Sequence, residues 1–161
     1  LIERKHTASA IDDIAFLGRS VDRLSVLIAE QSKAVFDALG IVIPVRSCSL
    51  MTVLADRGTA SASDLARELG HSHQLVMQKI PRLLSLGLIQ HRSDDDDARR
   101  RLFSLTAEGA RQVAKFEQCT TLICAAYEAL FAEVGDVRQL VDRTTDALHA
   151  LPLDKRINPG G

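Results

Sequence analysis

The chain has 161 residues, enough to bury a real core in one domain or in one domain with two lobes. Apolar residues make up 46% and charged residues 25%, an ordinary globular balance; the 4% aromatic share, with no Trp, leaves Leu, Val, Ile and Ala to fill a core that favours helices. The 20 Lys and Arg nearly cancel the 21 Asp and Glu, so nothing in the bulk charge marks a polycation, and any nucleic-acid contact has to come from local patches.

The three cysteines, Cys48, Cys119 and Cys124, are odd in number and lack framework spacing, which argues against a secreted disulfide scaffold. Cys119 and Cys124 point in different directions from one predicted helix and should not pair within it. No apolar run is long enough for a bilayer and no signal-peptide pattern opens the chain, so a cytoplasmic location with no membrane partner is expected. The first residue is Leu1 rather than Met, so a few native residues are expected ahead of it.

Residues 11 to 39 carry Ile14, Leu17, Val21, Leu24, Ile28, Val35 and Leu39 at helical spacing, close to a heptad seam, and Gly40 stops that helix. Ile41 to Pro44 reads as an extended connector, followed by a shorter helix over 46 to 56 through Leu50, Val53 and Leu54. Ser61 is an expected N-cap, with Asp64 as a weaker form of the capping box, for a helix burying Leu65, Ala66 and Leu69. Gly70 makes a turn. Ser72 then caps a fourth helix with Val76, Ile80, Leu83 and Leu86 on its buried side, ended by Gly87. Leu88 to His91 and Leu102 to Leu105 are two expected strands around a charged tip, Asp94 to Arg101. Thr106 caps a long helix through Val113, Phe116, Ile123, Tyr127, Leu130 and Val134, broken at Gly135-Asp136. A last helix runs from Val137 to about Leu151, and Pro152 and the Pro-Gly-Gly tail are expected to end order.

Helix, tight turn, helix and hairpin in that order describe a winged helix-turn-helix, which places one helix in the DNA major groove and a hairpin beside it. The expected fold is mainly α, with a two-stranded wing and long N- and C-terminal dimerisation helices. The whole of 1–161 is read as a single domain, with a DNA-binding lobe over about 46–106 and a dimerisation lobe over about 11–40 and 107–151.

Leu39 to Pro44 with Val53-Leu54-Ala55, Ser63 to Gly70 with Ser72, Val76, Ile80, Arg82, Leu83 and Gly87 to Ile89, and Asp97, Arg99 and Ser104 to Thr106 with Gly109 together resemble the MarR family of winged-helix transcriptional regulators. The resemblance covers roughly residues 14 to 150. It implies a homodimer held by the terminal helices, recognition helices in successive major grooves, wings at the minor groove or backbone, and release of DNA by a small aromatic or phenolic ligand. It also implies that Asp97 orients a wing arginine.

On the fourth helix, Ser72, His73, Gln74, Leu75, Met77, Gln78 and Arg82 are the candidate DNA-facing residues. Gln pairs bidentately with adenine, Met or Leu touches a thymine methyl, His donates to guanine or phosphate, and Arg82 reaches phosphate. In the wing the candidates are Asp97, Arg99, Arg100 and Arg101, since arginine suits a narrow minor groove. Pro81 inside the helix, Lys79 at a usually apolar position and Ala98 in place of the first wing arginine depart from the family. Proline there removes a backbone bond and costs about 3 kcal/mol unless the helix bends.

Cys48 is a candidate effector or redox contact, although free Cys is more often a small buried hydrophobe. His71 and His73 lack an evident third ligand, and His6, His91 and His149 are scattered, so no metal and no cofactor are expected. No phosphate loop, nucleophile elbow or HExxH pattern argues for an enzyme. The expected function is a ligand-responsive, homodimeric repressor on a pseudo-palindromic operator in double-stranded DNA. The alternative is a dimeric ligand-binding or protein-interaction module of the same fold in which Pro81 and the Asp run have removed DNA binding. A thiol-based sensor is a third reading.

Overall fold

The structure, a computed structural model, describes residues 13–94, 97 and 100–157. Expectations for residues 11 and 12, His6, Ala98, Arg99 and the aspartates at 95 and 96 lie outside them.

The Asp13 carboxylate accepts the Ala15 N–H at 2.8 Å and opens a 3-10 turn, Ile14–Phe16, that leads into α1, Leu17–Leu39. Gly40 ends α1 at φ 64°, while the Ile41 N–H reaches back to the Phe36 carbonyl at 2.9 Å; the left-handed conformation suits glycine. Ile41 and Ile43 of the connector are buried, and the Val42 N–H donates to Gln112 Oε1 at 2.9 Å. A 3-10 turn, Val45–Ser47, opens α2, Cys48–Arg57.

A short strand that the sequence reading does not include, β1, Thr59–Ser61, precedes the third helix. The expected two-stranded wing is therefore part of a three-stranded antiparallel sheet in the order β1-β3-β2. The helix α3, Ala62–Leu69, has a full capping box. Ser61 Oγ accepts the Asp64 N–H at 3.2 Å, and Asp64 Oδ2 accepts the Ser61 N–H at 3.1 Å. Gly70, at φ 61°, turns the chain into α4, His73–Ser85, capped by Ser72 Oγ on the Leu75 N–H at 3.1 Å. Pro81 lies within α4 without dividing it.

The wing strands are β2, Ile89–Ser93, and β3, Arg101–Leu105. The hairpin extends beyond the expected His91 because Arg92 pairs with Leu102 and Ser93 with Arg101. Thr106 starts α5, Ala107–Val134, by accepting the Gly109 N–H at 3.0 Å while its hydroxyl donates to the Gly87 carbonyl at 2.6 Å. Gly109 is fixed by space: a Cβ there would stand 1.9 Å from the Leu88 carbonyl oxygen.

Asp136 caps α6, Val137–Ala150, through the Gln139 N–H at 2.9 Å. Order does not end at Pro152. A further turn, α7, spans Leu153–Ile157, and the Arg156 guanidinium donates to the Ala147 and Leu151 carbonyls at 2.6 and 2.8 Å. Proline suits a helix start, and the arginine satisfies carbonyls that a helix C-terminus leaves open.

The chain divides into two compact units, one up to Phe116 and one from Glu117 onward. In the first, Leu50, Met51, Leu54, Leu65, Val76, Leu83 and Leu88 from α2, α3, α4 and the start of the wing are fully buried. By contrast α1 buries only Phe36 and leaves Val21, Leu24 and Leu27 exposed, and in the second unit α6 leaves Leu140, Val141 and Leu148 exposed. Among the described residues no helix is long and apolar enough to cross a membrane.

Candidate nucleic-acid interface

A helix advances about 100° per residue, so burying Val76, Ile80 and Leu83 fixes which side chains α4 presents outward. Ser72, His73, Gln74, Leu75, Met77, Gln78 and Arg82 are all exposed. Gln74 and Gln78 are one turn apart and share a face, as do His73 and Met77. The polar side of α4 is thus solvent-facing over its first two turns, where a helix entering a groove meets base edges. Pro81 is exposed on the same helix.

Beside α4 stands the wing. A cavity of about 540 Å³ runs between the start of α3, α4 and the wing, lined by Ser63, His73, Met77, Pro81, Arg101 and Phe103 among others. Ala60 of β1 pairs with Phe103, and the edge-on packing of Phe103 and His91, 6.2 Å between ring centres, fixes β3 against β2. Of the wing candidates, Asp97, Arg100 and Arg101 are described and exposed. The Arg100 N–H donates to the Asp97 carbonyl at 2.8 Å, and the Asp94 N–H donates to the Arg100 carbonyl at 2.9 Å, which shapes the tip.

The Arg100 side chain is committed within the protein. Arg100 Nη2 donates to Asp64 Oδ2 at 2.5 Å and to Ser61 Oγ at 3.3 Å, while Nη1 lies 3.5 Å from an Asp94 carboxylate oxygen. Asp64 also receives the Ser61 hydroxyl at 2.6 Å and Arg67 Nη2 at 2.8 Å. The Ser61 hydroxyl and N–H hold the Asp64 carboxyl well below the usual carboxylate range, with help from Arg100 and Arg67. Sequence reading took Asp64 only as a helix cap and missed this junction. An acidic residue at the third helical position explains the cap, but the chain carries no local sign that a residue 36 positions away will share it.

A second polarised spot lies behind α4. Lys79 is half-buried; burial and the neighbouring Arg46 guanidinium lower its proton affinity, and the Cys48 side chain opposes that shift. His71 is pushed down first by burial and then by Lys79, and its buried Nδ1 has no hydrogen-bond partner. Cys48 itself is buried, with its S–H directed at the Pro44 carbonyl 3.9 Å away. Burial raises the Cys119 thiol, which keeps it protonated, whereas Cys124 is exposed.

Comparisons with known proteins agree with this geometry. Residues 43–100 match the family model described as the MarR family. No curated protein matches the chain. Among solved structures, a MarR mutant from E. coli complexed with operator DNA is 17% identical, with a TM-score of 0.60 over 90% of this chain and 100% of its own. The transcriptional regulator BldR from Sulfolobus solfataricus is 16% identical, with a TM-score of 0.59 over 89% of this chain and 99% of its own. A probable transcriptional regulator from Pseudomonas aeruginosa is 24% identical, with a TM-score of 0.59 over 83% and 97%. Over residues 43–100, which run from the connector before α2 to the wing tip, the chain resembles the MarR family, and its winged helix-turn-helix fold is shared with these solved structures.

Proposed function

We propose that this chain is a transcriptional regulator that binds a pseudo-palindromic operator in double-stranded DNA as a homodimer and represses nearby transcription in the cytoplasm. The observation that carries the reading is the exposed polar side of α4, with Gln74 and Gln78 one turn apart beside an arginine-bearing wing. His73, Gln74 and Gln78 read base edges, Leu75 and Met77 meet thymine methyls, and Ser72 and Arg82 reach the backbone. Arg101, with Arg99 and its orienting Asp97, serves the minor groove or its phosphates. The apolar side chains exposed along α1 and α6 support self-association, since burying them against a second copy removes apolar surface from water.

A small aromatic or phenolic effector releases the DNA in this account. Cys48 is its candidate contact, and the Lys79 and Arg46 charges beside it suit an acidic or phenolate group. The buried thiol and its S–H bond to Pro44 favour a packing role over a redox one.

Pro81 in α4 and the carboxylates of the wing tip favour a second reading, a dimeric ligand-binding or protein-interaction module without DNA binding. Fluorescence anisotropy on duplexes selected from random sequence separates the two. The regulator reading expects competitor-resistant binding that Gln78→Ala weakens by about 1–3 kcal/mol with relaxed base preference, and that Arg101→Ala weakens evenly with a shallower salt dependence. Unchanged affinity in both variants contradicts it.

A further inference from the structure

We infer that Arg100 is a positioning residue and not one of the phosphate contacts: it straps the wing to the start of α3 through Asp64 and Ser61, and so sets where Arg101 stands against DNA. The inference rests on the DNA-binding reading above for its last clause only. Three adjacent arginines, at 99, 100 and 101, look interchangeable in sequence, yet Arg100 has its guanidinium committed within the protein. One nitrogen holds Asp64 at 2.5 Å and Ser61 at 3.3 Å, and the other lies 3.5 Å from Asp94. The Asp64 and Asp94 side chains are each only 14% exposed, against 46% for Arg100, so the carboxylates are the sheltered partners and the arginine lies across them.

The geometry makes one junction of three elements. Ser61 ends β1 and caps α3, Asp64 sits in the first turn of α3, and Asp94 and Arg100 flank the wing tip. Charge-assisted hydrogen bonds are strong and directional, and a planar guanidinium that joins two carboxylates leaves little freedom to the strand that bears it. Arg101, the next residue and the first of β3, takes its place from that anchor. Asp64 therefore serves DNA binding although it is itself an anion near the DNA-facing side.

That last point gives the test an informative sign. Asp64→Asn removes a negative charge, which by charge alone tightens DNA binding. The strap predicts the opposite, roughly tenfold weaker binding, the scale of one charge-assisted hydrogen bond. Ser61 still caps α3, and the amide oxygen of asparagine can still accept the Ser61 N–H. Arg100→Gln should weaken binding similarly while leaving the salt dependence unchanged, because a positioning residue neutralises no phosphate. A lost phosphate contact lowers the salt slope by about 0.9 for each phosphate. The double variant should bind no worse than either single one. Independently of DNA, both single variants should speed amide hydrogen exchange in β2 and β3 of the free protein while α4 keeps its protection. Tighter binding by Asp64→Asn, a reduced salt slope for Arg100→Gln, or unchanged exchange in the wing overturns the inference. If the wild-type protein binds no DNA, the regulator reading fails and the exchange result alone decides the strap.

Discussion

The segment from α2 to the wing and the terminal helices use similar apolar residues in opposite ways. In the first, Leu50, Leu65, Val76, Leu83 and Leu88 are fully buried within one chain. The leucines and valines of α1, and Leu140, Val141 and Leu148 of α6, remain exposed, with Phe36 the one buried side chain of α1 and none buried in α6. Helical periodicity therefore says that a face exists, not what covers it. The winged helix closes its core alone, and the exposed faces of α1 and α6 have the character of surfaces awaiting a partner, which the homodimer reading supplies.

Breaking the closed core should have the largest effect on stability. Leu83→Ala should cost about 2–5 kcal/mol in chemical denaturation, because it removes a fully buried side chain and leaves a cavity. Gly109→Ala should also be costly, about 1–3 kcal/mol or more, since its Cβ has to displace the Leu88 carbonyl at the foot of the wing. If either change is neutral, the contrast between the two regions is wrong.

Charging the open face should act on assembly instead. Leu24→Asp with Leu27→Glu should convert a dimer into the 17.6 kDa monomer in sedimentation while helix content is kept. DNA affinity should then fall by roughly a hundredfold, as the two half-sites cease to be engaged together. A dimer that survives both charges removes α1 from the interface.

Acid should act selectively on the closed region. Asp64 has a depressed pKa in the folded protein and an ordinary one, about 3.9, when unfolded. The stability it contributes is present above that unfolded value and is lost as pH falls below about 4 toward the folded value. Asp64→Asn should therefore lower stability by on the order of 1 kcal/mol at neutral pH and flatten the acid limb of the stability curve. An unchanged acid limb shows that the carboxylate is not linked to folding. The smallest effect is chemical. Thiol reagents should modify exposed Cys124 first, and buried Cys48 and Cys119 only as the protein opens.

The helices were legible in the sequence because their signals are local. Gly40 and Gly70 end elements, Ser61, Ser72 and Thr106 cap them, and the spacing of Val76, Ile80 and Leu83 correctly marked the inner side of α4. What escaped was set by distant partners. β1 is three residues without an alternating pattern, and its register is fixed by β3 about forty residues later. The turn after Pro152 depends on Arg156 reaching back to Ala147. Pro81 lies inside α4, which continues to Ser85 with Ile80 and Leu83 buried on either side of the missing backbone donor. In the site, the outward residues of α4 followed from the buried ones. The commitment of Arg100 to Asp64 and Ser61 did not, because it depends on where the chain places Asp64.

The most direct measurement is selection of duplex DNA from a random pool by the purified protein, followed by anisotropy of the enriched sequence over a range of salt. A symmetric regulator predicts an inverted repeat with half-site centres about 10 base pairs apart, bound by two chains, with log affinity falling steeply against log salt. No enriched sequence, or a motif without two-fold symmetry bound by a single chain, contradicts the account.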